Sequence, residues 1–90
     1  MVEGRLAVIN RLGLHARAAA KLVHLTSSFG SEITIVTGDG EEIDAKSILG
    51  ILLLAAGQGT ELTLRCSGAD EAEALRAVAA LFADRFGEGE

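Results

Sequence analysis

Apolar and polar positions alternate at the start of the chain. Across residues 2–9, Leu6 and Val8 fall on one face and Arg5 and Ala7 on the other, which predicts a strand. Residues 10–14 carry no period and read as a loop. A helix follows over about 16–28, its Ala18, Leu22, Leu25 and Phe29 spaced i, i+4, i+7, i+11 like a buried stripe, with Gly30 as its stop. Alternation returns over 32–37, breaks at Gly38-Asp39-Gly40 and resumes through 41–44, a hairpin pattern. A short helix is predicted over 47–55, with Ser47 as N-cap and Gly57 as stop. Residues 61–66 alternate cleanly, with Leu62, Leu64 and Cys66 inward. The last helix starts near Asp70, which is spaced from Glu73 like a capping box, and carries Leu75, Val78, Ala79, Phe82 and Phe86 as its stripe.

The order is β-α-β-β-α-β-α. Strands with one apolar and one polar face imply a sheet covered on a single side. The expected fold is an α/β (α+β) open-faced sandwich: a four-stranded antiparallel sheet under three helices, one domain over residues 1–90.

Composition narrows the function. Eight basic residues against thirteen acidic ones give a net charge of −5, which argues against nonspecific binding of nucleic acid. The charge is uneven: Arg5, Arg11, Arg17 and Lys21 face only Glu3 within residues 1–31, so the one positive stretch lies in an otherwise acidic chain. That polarity suits phosphate and an acidic partner. The lone Cys66 excludes an internal disulfide and fits a reducing cytosol. No apolar leader precedes the first strand, and the longest apolar run, Ile51 to Ala56, is too short to span a bilayer. A soluble cytoplasmic domain without membrane insertion is expected.

The candidate chemistry sits where the first helix begins. His15 falls at its first turn and Arg17 two residues later. A helix start presents unpaired N–H groups, here those of Ala16, Arg17 and Ala18, at the positive end of the dipole, and so suits an anion. Arginine adds fork-shaped, charge-assisted donors for phosphate oxygens. A nucleophilic nitrogen among such donors is what carriage of a phosphoryl group on histidine requires, with no cofactor. The positive helix end also disfavours the imidazolium form, which leaves a nitrogen free to attack. A lone histidine at this place is otherwise a cap or a surface residue. His24 lies nine positions on, not one or two turns away, so no metal site is expected. Ile48 to Leu54 is apolar all round, and one face of such a helix cannot reach the sheet. Leu14, Ala20, Ile48, Leu49, Ile51 and Leu52 are therefore predicted to form a docking surface.

Four segments in register resemble the HPr family, the histidine-containing phosphocarriers of the bacterial phosphoenolpyruvate-dependent phosphotransferase system. They are Gly13-Leu14-His15-Ala16-Arg17, Lys46-Ser47-Ile48-Leu49-Gly50, Gly57-Gln58-Gly59-Thr60 and Ser67-Gly68-Ala69-Asp70. The resemblance covers essentially the whole chain. It implies that His15 accepts a phosphoryl group on Nδ1 from phosphorylated Enzyme I and passes it to enzyme IIA components. The protein would then be a monomeric carrier and not an enzyme. It also implies that Ser47 matches the serine modified in many members by HPr kinase/phosphorylase; phosphate there would add about −1.5 to −2 charge. Ala18 replaces the proline usual after the arginine, which bears on partner preference. Asn10-Arg11-Leu12 and Ala80-Leu81-Phe82 look more like the nitrogen-related branch than the sugar-transport branch. Two rivals stay open: a regulatory binding protein of the same fold acting through Ser47 and the apolar helix, and a plain anion-binding domain.

Overall fold

The computed structural model describes residues 1–89. Its elements are β1 (Val2–Ala7), α1 (Ala16–Thr26), β2 (Glu32–Val36), β3 (Glu42–Asp44), α2 (Ile48–Leu54), β4 (Glu61–Ser67) and α3 (Glu71–Ala83), followed by a 3-10 turn at Arg85–Gly87. The strands form one antiparallel sheet in the order β1-β4-β2-β3. Leu6, Ile33, Ile35, Leu62, Leu64 and Cys66 point to its covered side and are buried there, as the period-2 pattern requires. α3 lies on β1 and β4, while α2 lies on β3 and α1. The uncovered face is polar: Arg65 of β4 reaches Glu3 on the adjacent β1 at 3.3 Å and, past β2, Glu42 of β3 at 3.4 Å. The open-faced sandwich expected from the sequence is the fold observed.

Several ends differ from the pattern, each for a local reason. β1 stops at Ala7 and not at residue 9, because its partner begins at Glu61, directly opposite. Val8 stays attached through loop groups, donating to the Thr60 carbonyl at 2.9 Å and accepting from the Gly59 N–H at 2.7 Å. α1 ends at Thr26, two residues early. The buried Thr26 hydroxyl donates to the Ala45 carbonyl at 2.8 Å, and the chain then tightens into i→i−3 bonds at Ser28 and Phe29. α2 ends at Leu54, and Ala55 (φ 52°) takes the left-handed position that Gly57 was expected to supply.

The Asp70/Glu73 capping box does not form. Asp70 is the N-cap of α3, but its carboxylate is used across the chain, accepting from the Gly30 N–H at 2.9 Å, the Ser31 N–H at 3.0 Å and the Ser31 hydroxyl. Glu71 accepts instead from the Gly68 N–H at 3.2 Å. Beyond α3 the backbone turns through positive φ at both Arg85 and Phe86 (55° each). That conformation is costly for residues with a Cβ. It delivers the Phe86 ring into the core, 1% exposed and 4.9 Å from the Phe82 centroid.

Candidate functional site

The loop before α1 is closed on itself. Asn10, fully buried, donates from Nδ2 to the Gly13 carbonyl at 2.8 Å, and Gly13 donates back to the Asn10 carbonyl at 3.2 Å. Gly13 has φ +67°, and the next residue, Leu14, donates its N–H to the Ala56 carbonyl at 2.9 Å. Those bonds bring His15 to the N-cap of α1 in an extended conformation (φ −71°, ψ 178°), with its carbonyl accepting from the Ala19 N–H at 2.8 Å. The three preceding amides, at Ala16, Arg17 and Ala18, have no acceptor inside the helix and mark the anion-receptive end. Ala18 sits in the first turn with its methyl wholly buried, so the helix starts without the proline.

The two ring nitrogens of His15 have different surroundings. Nδ1 accepts from the Arg17 N–H at 3.3 Å, facing the helix start. Nε2 meets the carboxylate of Glu88, and the Asn10 amide holds the other oxygen of that carboxylate at 2.9 Å. The Asn10 and His15 contacts, in that order, hold the Glu88 carboxyl below the usual carboxylate range, with Lys21 adding a smaller attraction. A cleft of about 270 Å³ opens beside this pair, lined by Arg11, Leu12, Arg17, Lys21, Gly87 and Glu88. Three cations around one cleft favour a multiply charged anion.

His15 and Arg17 meet through the Arg17 backbone N–H; Lys21, read from the sequence only as part of the positive stretch, lines the cleft, and Asn10 and Glu88 carried no sequence signal of a role here. The sequence of residues 87–90, Gly-Glu-Gly-Glu, is a short acidic tail for which fraying is the expectation. Gly87 and Glu88 are instead tied to the site, while Glu90 lies outside the described residues. Lys21 helps hold this segment, donating from Nζ to the Phe86 carbonyl at 2.6 Å.

The predicted docking residues divide. Ala20, Ile48, Leu49 and Leu52 are exposed, as are Leu53 (75%) and Leu12 (64%), which the sequence reading did not single out. Leu14 and Ile51 are corrections: both are buried in the core, Leu14 under the closed loop and Ile51 as the inward residue of α2. Ser47 caps α2, its hydroxyl oxygen accepting from the Gly50 N–H at 3.1 Å. His24 is exposed at the end of α1, and Cys66 is buried, which pushes its thiol up. Among the described residues no helix is long and apolar enough to cross a membrane.

Comparison with known proteins places these observations in a family. The model for the PTS HPr component phosphorylation site matches residues 2–84. The phosphocarrier protein HPr of Cupriavidus necator is 50% identical over 90 residues, all of both chains. The phosphocarrier protein NPr of Proteus mirabilis is 43% identical over 84 residues, 93% of each. Among solved structures, an HPr from Thermoanaerobacter tengcongensis superposes with a TM-score of 0.93 at 40% identity, covering 98% of both chains. An HPr dimer from the same organism gives a TM-score of 0.77 at 41% identity, covering 98% of this chain and all of that one.

Proposed function

The chain belongs to the HPr family of phosphotransferase-system phosphocarriers, and from that premise we propose that His15 is its phosphoryl acceptor, with Nδ1 as the attacking atom. The observation that carries this is the orientation of the ring: Nδ1 accepts a hydrogen bond from the Arg17 N–H, so its lone pair faces the start of α1, beside the cationic cleft. When Nδ1 takes the phosphoryl group, the Arg17 N–H turns from the ring nitrogen to a phosphoryl oxygen. The amides of Ala16 and Ala18 and the Arg17 guanidinium offer further donors. None of these groups activates a leaving group, so the partner proteins supply most of the transition-state stabilisation.

The donor in this reading is phosphorylated Enzyme I, itself charged by phosphoenolpyruvate, and the acceptors are enzyme IIA components. The protein serves as a cytoplasmic carrier in single copies. Ala20, Ile48, Leu49 and Leu52, together with Leu12 and Leu53, form the apolar surface on which these partners dock. Ser47 is the regulatory position for HPr kinase/phosphorylase: its oxygen already faces the first turn of α2, and a phosphate there adds negative charge beside the docking helix.

Incubation with phosphoenolpyruvate and Enzyme I is expected to give an acid-labile, base-stable phosphohistidine at one equivalent per chain. Persistence of that label in His15→Ala overturns the assignment.

A further inference from the structure

The segment that follows α3 is built to present one carboxylate. Phe86 anchors it in the core, Lys21 holds the Phe86 carbonyl at 2.6 Å, and Gly87 turns the chain back at φ +75°. Arg85 and Phe86 both occupy left-handed backbone, which persists only where the surroundings over-determine it. The carboxylate so delivered is doubly held, by Asn10 Nδ2 on one oxygen and by His15 Nε2 on the other. Asn10 is itself wholly buried and locked to the Gly13 carbonyl, so it is a rigid support. A tail that merely covered the surface would need none of these restraints.

We propose that Glu88 is a positioning residue for the phosphoryl chemistry of His15, fixing the proton on Nε2 and compensating the charge of the ring once Nδ1 is phosphorylated. The inference rests on the carrier reading above and adds a member to the site. A carboxylate that accepts from one imidazole nitrogen leaves the lone pair on the other, as orienting carboxylates do wherever histidine serves as nucleophile, base or ligand. Here that lone pair is on Nδ1, where the Arg17 N–H already meets it.

The charge changes follow from the step. The Nδ1 lone pair forms the N–P bond as the donor's bond to phosphorus breaks, and that electron pair leaves with the donor group. The proton stays on Nε2, so the ring becomes an N-phosphoimidazolium carrying one positive charge. Delivery reverses this: the N–P electron pair returns to Nδ1, and the neutral ring with Nε2–H is restored. The cationic ring is the better leaving group, and the cleft beside it is already lined by Arg11, Arg17 and Lys21. Glu88 is the carboxylate among the described residues lining that cleft, and it touches the nitrogen that bears the proton. The charged group that touches the ring is Glu88 from the tail, and the cleft beside it is lined by Arg17 and Lys21 from α1 and Arg11 from the loop.

Two variants of the full chain separate the two parts of the role. In Glu88→Ala, ¹⁵N NMR of the unphosphorylated protein is expected to show the Nε2–H tautomer of His15 giving way to a mixture. Glu88→Gln leaves one amide oxygen for the two donors, Asn10 Nδ2 and His15 Nε2. With that oxygen turned to His15 the tautomer is kept and only the charge is lost, which the same ¹⁵N spectrum reads. The pH profile of phosphoryl transfer from the loaded carrier then moves about one unit toward acid, and transfer above neutral pH falls about tenfold. An unchanged tautomer in Glu88→Ala, or an unchanged pH profile in Glu88→Gln, overturns the proposal. Failure of the wild-type chain to become labelled at all is a separate result, which sinks the carrier reading while the tautomer measurement still decides the role of Glu88.

Discussion

Gly13 governs where the His15 ring points. At φ +67° it occupies left-handed space, and a Cβ there would lie 2.4 Å from the Ala56 carbonyl oxygen and 2.9 Å from Gly57 Cα. Both are backbone atoms that cannot swing aside. Gly13→Ala is expected to cost about 2–5 kcal/mol, summing left-handed strain with overpacking. Urea denaturation measures it, and Gly57→Ala, which meets nothing within 4 Å, serves as the near-neutral control. At this scale the sequence was legible where chemistry is local. His15 and Arg17 are two residues apart at a helix start, a place whose unpaired amides suit an anion. Glu88 was not legible, because it reaches His15 across 73 positions through a turn that no period or motif signals. Asn10 read as a loop residue, although its amide is a buried strut between the Gly13 carbonyl and the tail carboxylate.

α2 is the element on which capping matters most. Seven residues make too short a helix to stand without help, and Ile51 is its one fully buried side chain. Ser47→Ala removes the oxygen that accepts from the Gly50 N–H, and is expected to lower unfolding free energy by about 1 kcal/mol without disturbing β1 or β4. Chemical denaturation gives the loss, and hydrogen exchange localises it to α2. Periodicity placed the strands, α1 and α3, whereas α2, apolar all round with one buried side chain, was placed by its Ser47 cap. It failed at the ends, where tertiary partners decide. Asp70 and Glu73 have capping-box spacing, yet Asp70 is drawn away by two amides and a hydroxyl of the α1–β2 connection. Gly30 and Gly57 look like stops, but Thr26 pinned to Ala45 and the left-handed Ala55 end those helices first.

Across the whole molecule, Asp70 ties the connection after α1 to the start of α3, and so links both ends of the helical layer. The Ser31 hydroxyl, then the Gly30 amide, hold its carboxyl below the usual range. A carboxyl lowered by folding contributes stability above its unfolded value near pH 4, and loses it as pH falls through the lower folded value. Thermal unfolding followed from about pH 5 to 2 is expected to fall more steeply for the wild-type chain than for Asp70→Asn. The layered architecture was legible from strand alternation and element order, whereas the neighbour relations within the sheet have no local signature. Those relations have a consequence for synthesis. β4 is the inner neighbour of both β1 and β2, yet it is the last strand made. On the ribosome β1 therefore waits unpaired while more than fifty further residues are translated, and only the β2–β3 hairpin has its partner at once. The sheet closes late, around its final strand, so a nascent chain that stalls before residue 67 leaves an open edge for chaperones to shield.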